Sequence, residues 1–250
     1  MAIRITLFLL GLLLVSPAWA DDYAEPTLEN FAHTLMRFKA IDMMNDALLD
    51  DYAMITDCEI YENFYSNDFK WSQVRSFMRD SIKMKSDTFP DKYYYEAELQ
   101  LDRYDFKSKN FRFTDNTAVK GVNTFRFNFV NRTGQPRCYG RNLENFPSSY
   151  EIVIGAPVTI GGLPFSEEDA NLLLRYLEES KNIYRIIYVR FYMTVNHIEP
   201  LRKSELKSGS QKYIQPGVTG DEGMRVEARL DSVKFYADPA MSKLIYSYSP

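Results

Sequence analysis

Apolar residues recur every three or four positions in three segments of the chain, and this spacing predicts amphipathic helices. The first segment, residues 27–57, begins with Thr27 as N-cap directly after Pro26. Its apolar stripe is rich in Met and either packs on the protein's own sheet or binds a partner. The second segment, residues 71–85, ends before Pro90. The third begins at Ser166, an N-cap followed by three acidic residues that complement the helix dipole.

Apolar and polar residues alternate in other segments, and a period of two with one polar face predicts antiparallel strands. A change of phase predicts a β-bulge near Asp231 and Ser232. A Gly155–Pro157 interruption predicts a break in another strand. The six predicted strand segments are residues 93–106, 122–131, 150–160, 182–198, 223–238 and 243–248.

The segment 182–198 shows the alternation over the greatest length. The buried face is predicted to contain Ile187, Val189, Phe191, Met193 and Val195. The other face, predicted to be open to solvent, contains Tyr188, Arg190 and Tyr192. We therefore expect Phe191→Ala to destabilise the protein more than Tyr192→Ala. His197 lies at the frayed end of the buried row and is predicted to be a capping or partly exposed residue.

These elements predict an α+β fold. We expect an antiparallel sheet of about five to seven strands, covered on one face by helices, with an N-terminal helical preface. The predicted boundaries are a signal peptide at 1–20, a helical N-terminal region at 21–90 and an α+β sheet domain at 91–250. The polar segment 200–223 is unusually long for a loop inside a compact domain, which is typical of a functional or mobile loop.

The first twenty residues combine Arg4, an apolar run of about eleven residues and the small-x-small sequence Ala18–Ala20. This pattern predicts a secretory signal peptide cut before Asp21. A membrane anchor is the alternative, but a spanning helix needs about twenty apolar residues. We therefore expect a periplasmic or secreted bacterial protein, with no transmembrane segment after the signal is removed.

Cys58 and Cys138 are the only cysteines in the chain. In an oxidising compartment such a pair favours a disulfide bond. Two buried free thiols or one catalytic thiol are the alternatives. A disulfide requires the two Cα atoms to lie within about 7 Å.

Linear catalytic motifs of the common hydrolases and nucleotide-binding proteins are absent from the sequence. His33, predicted on the surface of the first helix, and His197 are the only histidines, so the sequence predicts no catalytic residues, no metal site and no cofactor. Glu96 and Glu98 share one strand face, and a carboxylate-based hydrolase is therefore the alternative function. Whether the protein is an enzyme stays open at this point.

Charge is distributed unevenly along the chain. Residues 21–69 carry twelve acids and two bases, whereas residues 70–142 carry fifteen bases and eight acids. The two regions either dock on each other, or the basic one binds an unknown envelope protein or an anionic envelope ligand. The weak binding candidates are Arg126, Arg132, Tyr139, Tyr188, Arg190 and Tyr192, accompanied by Arg137 and Arg141. The net acidic balance argues against nucleic acid as a partner.

Three segments carry a resemblance to a known family. "LDRYDFKSKNFRF", "GLPFSEEDANLLL" and "VEARLDSVKFYAD" resemble segments of an uncharacterised family of exported bacterial proteins, a domain of unknown function. The resemblance implies a bacterial envelope protein and no particular activity. The missing catalytic motifs favour a non-enzymatic binding or interaction module.

Overall fold

A computed structural model of the protein describes residues 22–115, 118–129, 138, 143, 145–201 and 223–250. The predicted signal peptide and residues 202–222 of the long polar segment lie outside these ranges. The α-helices are Leu28–Arg37 (α1), Asp46–Thr56 (α2), Cys58–Phe64 (α3), Asp68–Lys85 (α4) and Glu167–Glu179 (α5). The strands are Lys92–Asp105 (β1), Asn110–Asp115 (β2), Lys120–Asn128 (β3), Ser149–Thr159 (β4), Gly162–Pro164 (β5), Ile186–Pro200 (β6), Gly223–Tyr236 (β7) and Leu244–Tyr248 (β8).

The predicted N-caps are present at α1 and α5. The side chain of Thr27 accepts a hydrogen bond from the backbone N–H of Asn30, and Ser166 accepts one from Asp169. The first helical segment differs from the prediction, because α1 ends at Arg37 and the chain turns before α2. Asn45 then caps α2 by accepting from two backbone N–H groups. Local capping residues therefore divide an apolar stripe that looks continuous in sequence.

All eight strands belong to one sheet, with the order β3-β4-β7-β6-β1-β2-β5 and with β8 paired to β7. The α+β class is confirmed. The sheet is mixed rather than purely antiparallel, because β4 and β7 run parallel. It also has one strand more than the expected five to seven within the described residues. A parallel neighbour is possible here because α5 and β6 carry the chain back between β4 and β7.

Two irregularities in the ladder match features of the sequence. Tyr192 pairs with Ser232 and Met193 with Leu230, so Asp231 is the extra residue of the predicted bulge. In β4 the predicted break is instead a bulge inside a continuous strand. Val153 and Val158 pair with β3 residues only two positions apart, which leaves residues 154–157 unpaired on that side.

The sheet is curled, and its concave face holds the main core. The ring centroids of Tyr95 in β1 and Phe125 in β3 lie 4.8 Å apart, although three strands separate β1 from β3 in the sheet order. Phe31 of α1 stacks between Tyr93 and Tyr150, at 4.8 and 4.3 Å. Buried residues of α1, α2 and α5 belong to this same cluster. The helical preface and the sheet are thus packed on one core.

Strand β6 has the predicted inner face. Its five apolar residues, Ile187, Val189, Phe191, Met193 and Val195, are all buried. His197 is exposed, because a register shift after Val195 turns Ile198 inward in its place. It does not lie at a frayed end, since β6 continues to Pro200 and His197 pairs with Glu227 of β7.

The predicted disulfide is present. Cys58 and Cys138 are bonded, and their Cα atoms lie 5.5 Å apart. Because the two cysteines are bonded to each other, the structure contains neither of the alternatives, two buried free thiols or one catalytic thiol. The bond attaches the buried Cys138 to α3, in a second apolar cluster that includes Tyr61 of α3 and Trp71 of α4.

Candidate functional site

The first candidate surface is the basic and aromatic face of the sheet. Arg132 and Tyr139, with Arg137 and Arg141, lie outside the described residues. The guanidinium of Arg126 donates to the carboxylate of Glu151, its neighbour on β4, at 2.5 Å. This arginine is therefore engaged in a cross-strand ion pair.

Arg190 is paired in the same way. Its Nε donates to Oε1 of Glu96 at 2.9 Å, and its guanidinium lies 4.3 Å from the ring centroid of Tyr94. The half-buried Tyr188 is the next residue along this face. Glu96, one of the two carboxylates considered for a hydrolytic site, is thus part of an ion pair between β1 and β6.

Tyr192 corrects the expectation of an open outer row. It lies on the predicted face, but only 1% of it is exposed. Tyr23 of the N-terminal segment packs edge-on against its ring at 4.8 Å, and Lys234 lies over the ring at 4.5 Å. Its hydroxyl is hydrogen-bonded to that of Tyr236 at 3.1 Å. Tyr192 therefore has no free surface for a ligand in this conformation.

The N-terminal segment stays on this face through bonds to distant parts of the chain. The hydroxyl of Tyr23 donates to Asp231 at 3.1 Å, and Thr194 donates to the same carboxylate at 2.5 Å. Ala24 forms a single bridge to Tyr93 of β1. The bulge residue Asp231 thus anchors the segment that covers Tyr192.

A second candidate site is an open cleft of about 680 Å³ lined by residues of α1, α2, α3 and α4. Its walls are mostly apolar, and its floor includes Tyr52 and Ala53 of α2 and Ile82 of α4. The lining residues further include Ile60, Phe64, Val74, Phe77, Met78 and Phe89. Its volume is within the range of about 300–1,000 Å³ that is typical of small-molecule sites.

His33 lies inside this cleft, which corrects its predicted surface position. Its ring stacks on Phe89 at 4.4 Å and meets Tyr52 edge-on at 5.9 Å. Desolvation by these apolar neighbours lowers the pKa of His33 below its usual value of 6.5. Burial of this kind favours the neutral form of the imidazole.

Polar side chains occupy the rim of the cleft. Lys70 and Lys85 lie toward the two ends of α4, and both are exposed. Asp57 is the N-cap of α3, and its carboxylate accepts a hydrogen bond from the backbone N–H of Ile60. Glu29 lies on α1, one turn before His33. The rim therefore combines a few charged groups with a mostly apolar interior.

Ion pairs between α2 and α4 hold two walls of the cleft together at a defined distance. Arg75 donates to both carboxylate oxygens of Asp50, at 2.7 and 2.5 Å, and Trp71 Nε1 donates to the same group at 2.8 Å. Arg79 forms a further ion pair with Asp46. Bidentate pairs of this kind restrict the relative position of two helices. Together with the disulfide at α3, they favour a preformed cleft.

Asp51 is the other buried carboxylate of α2, and it does not line the cleft. It accepts the backbone N–H groups of Asn145 and Phe146, at 2.6 and 2.9 Å. Desolvation raises its pKa above the usual value of 3.8, although these bonds oppose the effect. Its role here is to attach residues 145–146 to the helices.

One group of possible metal ligands is present among the described residues. The donor atoms of Cys58, Glu62 and Cys138 lie within 4.8 Å of one another. The two sulfur atoms are bonded to each other, so neither is available as a thiolate ligand in this state.

The cleft was not predicted from the sequence. One signal points toward it in retrospect, an exposed apolar residue of α4. Phe77 lines the cleft and remains 70% exposed although it belongs to an amphipathic helix. Large exposed apolar side chains beside a concave surface are typical of binding sites.

A family match covers α2, α3 and α4, three of the four helices that line the cleft. Residues 44–176, more than half of the chain, match the model of a domain of unknown function, DUF4852. The chain belongs to this family. The match includes α2, α3, α4, most of α5 and both cysteines, whereas the resembling segment at 226–238 lies beyond it. No curated protein and no solved structure matches the chain.

Within the part of the chain that the structure describes, every helix is too short or too polar to cross a bilayer.

Proposed function

We propose that this DUF4852 protein is a non-enzymatic binding module of the bacterial envelope and that the four-helix cleft is its binding site. In this proposal the helical region 21–90 supplies the site, and the α+β domain 91–250 is the scaffold. The cleft carries the proposal, since it is an apolar cavity of ligand size with a few polar groups at its rim. The paired arginines and the buried Tyr192 make the sheet face a weaker candidate.

The envelope location is supported by two observations. The first twenty residues have the pattern of a cleavable signal, and the Cys58–Cys138 bond is of a kind that persists in oxidising compartments. Intact-mass measurement of the protein purified from the envelope fraction is expected to show a chain beginning at Asp21. A mass that includes residues 1–20 would contradict the export proposal.

The binding proposal is tested with phenylnaphthylamine, an uncharged probe whose fluorescence rises in apolar surroundings. We expect saturable binding to the mature protein. Ser81→Phe, which places a ring in the cleft, should abolish the signal. Ser76→Phe is the matched control, because Ser76 lies on the same helix, is exposed and does not line the cleft. Absence of saturable binding, or equal loss in both variants with folding intact, would refute the proposed site.

A further inference from the structure

We infer that the cleft binds an uncharged, mainly apolar molecule with one hydroxyl or carbonyl group, which is hydrogen-bonded by Tyr52 with His33 beside it. This inference rests on the proposed function, because it specifies the ligand class of the same cleft. Two lining side chains support it, since each has a polar group without a hydrogen-bond partner in the described part of the chain.

Tyr52 supplies the first of these polar groups. The residue lines the cleft, and only 6% of it is exposed. Within the described residues its hydroxyl makes no hydrogen bond, yet it is not one of the polar atoms that are enclosed there without a partner. The hydroxyl is therefore accessible although the ring is buried. Burial raises the pKa of Tyr52, and the nearby carboxylate of Glu29, another lining residue, adds to this effect. Its hydroxyl thus faces the cleft.

The hydroxyl of Tyr52 differs in this respect from those of the most deeply buried tyrosines. Three tyrosines that are at most 1% exposed have hydroxyl groups with partners inside the protein, namely Tyr93, Tyr150 and Tyr192. A hydroxyl that is accessible from a cleft can pair with water until a ligand takes that position. A ligand that displaces the water loses affinity unless it supplies a hydrogen bond in its place. Tyr52 therefore selects a ligand with a hydrogen-bonding group.

His33 supplies the second polar group. Its ring is fixed between those of Phe89 and Tyr52, at 4.4 and 5.9 Å, and within the described residues the imidazole makes no hydrogen bond and no ion pair. A neutral imidazole offers one N–H donor and one acceptor nitrogen. Burial favours the neutral form of both His33 and Tyr52. Two uncharged groups that can donate or accept thus lie side by side in an otherwise apolar part of the cleft.

The charged residues of the cleft do not favour a charged ligand. They comprise two carboxylates and two ammonium groups, those of Glu29, Asp57, Lys70 and Lys85. A ligand of either sign therefore meets both attraction and repulsion. Moving a charge from water to the apolar surroundings of Tyr52 costs much more than moving a hydroxyl or carbonyl group, which one hydrogen bond largely compensates.

The test measures displacement of phenylnaphthylamine from the mature protein by butylbenzene, para-butylphenol and para-butylacetophenone. In Tyr52→Phe, the affinity for the phenol and the ketone should fall about fivefold, the ratio that corresponds to one net hydrogen bond, whereas the affinity for butylbenzene should not fall. His33→Phe keeps a ring on Phe89 and should weaken the phenol selectively as well. Tyr65→Phe is the matched control, because Tyr65 is exposed and does not line the cleft.

Two further measurements test the role of the hydroxyl and the ligand class. Tyr52→Phe should leave the midpoint of urea unfolding unchanged, because the hydroxyl has no partner within the described residues. A lower midpoint would show that the hydroxyl is a structural group and would overturn the inference. The ions para-butylbenzoate and para-butylbenzylammonium should each bind more weakly than the phenol, and tighter binding of either ion would exclude an uncharged ligand.

Other outcomes separate this inference from the proposed function. If the probe binds but the two variants weaken all three uncharged ligands equally, or none of them, the cleft is a binding site and the inferred polar contact is wrong. If light scattering shows a dimer that Ser81→Phe converts to a monomer, the occupant is a second copy of the chain and the small molecule is excluded. If neither the probe nor any ligand binds, the proposed function itself fails.

Discussion

Phe31 links the helical preface to the sheet, and its removal tests whether the two form one cooperative unit. The side chain is 1% exposed and lies between the rings of Tyr93 and Tyr150, nearly parallel to both. A buried Phe→Ala substitution costs about 3–5 kcal/mol, and each aromatic pair adds about 0.5–1.5 kcal/mol beyond burial. Because these contributions overlap, we expect Phe31→Ala to cost about 4–5 kcal/mol.

The measurement is urea unfolding followed by circular dichroism and by tyrosine fluorescence. A loss of this size is a large part of the roughly 5–15 kcal/mol that stabilises a typical domain. The urea concentration at the unfolding midpoint should therefore fall, while the dependence of the unfolding free energy on urea concentration stays similar. Phe69→Ala is the matched control, because Phe69 is 86% exposed and should change stability by about 0.5 kcal/mol or less. A cost below about 1 kcal/mol for Phe31→Ala would refute a shared core, and so would a separate early transition of the helices.

Three further predictions follow from the structure. Replacing both Cys58 and Cys138 by Ala should destabilise the protein by about 4.5 kcal/mol in the chain-entropy model, since the bond spans 80 residues; chemical denaturation with an unchanged midpoint would contradict it. Phe191→Ala and Tyr192→Ala should each lower the free energy of unfolding by about 3 kcal/mol or more in the same assay, because both side chains are buried. A nearly neutral effect of Tyr192→Ala would mean that Tyr23 does not cover Tyr192 in solution. Burial lowers the pKa of His33, so the unfolded chain binds a proton at this residue more readily than the folded protein does, and the free energy of unfolding should decline as the pH falls below about 6.5. His33→Gln should flatten that part of the stability–pH profile. An unchanged profile would argue against a buried imidazole.

Several elements could be predicted because their signals are local. The helix that begins at Ser166 is specified by its cap, by the acidic first turn and by an apolar stripe, all within thirteen residues. The inner face of β6 follows from strict alternation. The bulge at Asp231 follows from a change of phase between neighbouring apolar residues. In each case the residues that define the element lie within a few positions of one another.

The burial of Tyr192 could not be predicted in the same way. Alternation places this residue correctly on the outer face, but its exposure depends on Tyr23, which approaches from the N-terminal segment and is anchored to Asp231 across 208 residues of sequence. The parallel pairing of β4 with β7 is equally non-local. The alternation of apolar and polar residues along a strand indicates which face of the sheet a side chain occupies. It gives no information on which other part of the chain covers that face.

Short spacing and simple counting along the chain are enough to predict the helix caps, the strand faces, the pairing of the only two cysteines and the lack of familiar catalytic motifs. The position of the candidate site depends instead on tertiary contacts. The cleft arises because ion pairs join α2 to α4, the disulfide fixes α3, and His33 and Phe89 meet across 56 positions of the chain. Such contacts depend on how amphipathic elements pack once their apolar faces leave water, and that packing is a property of the whole core.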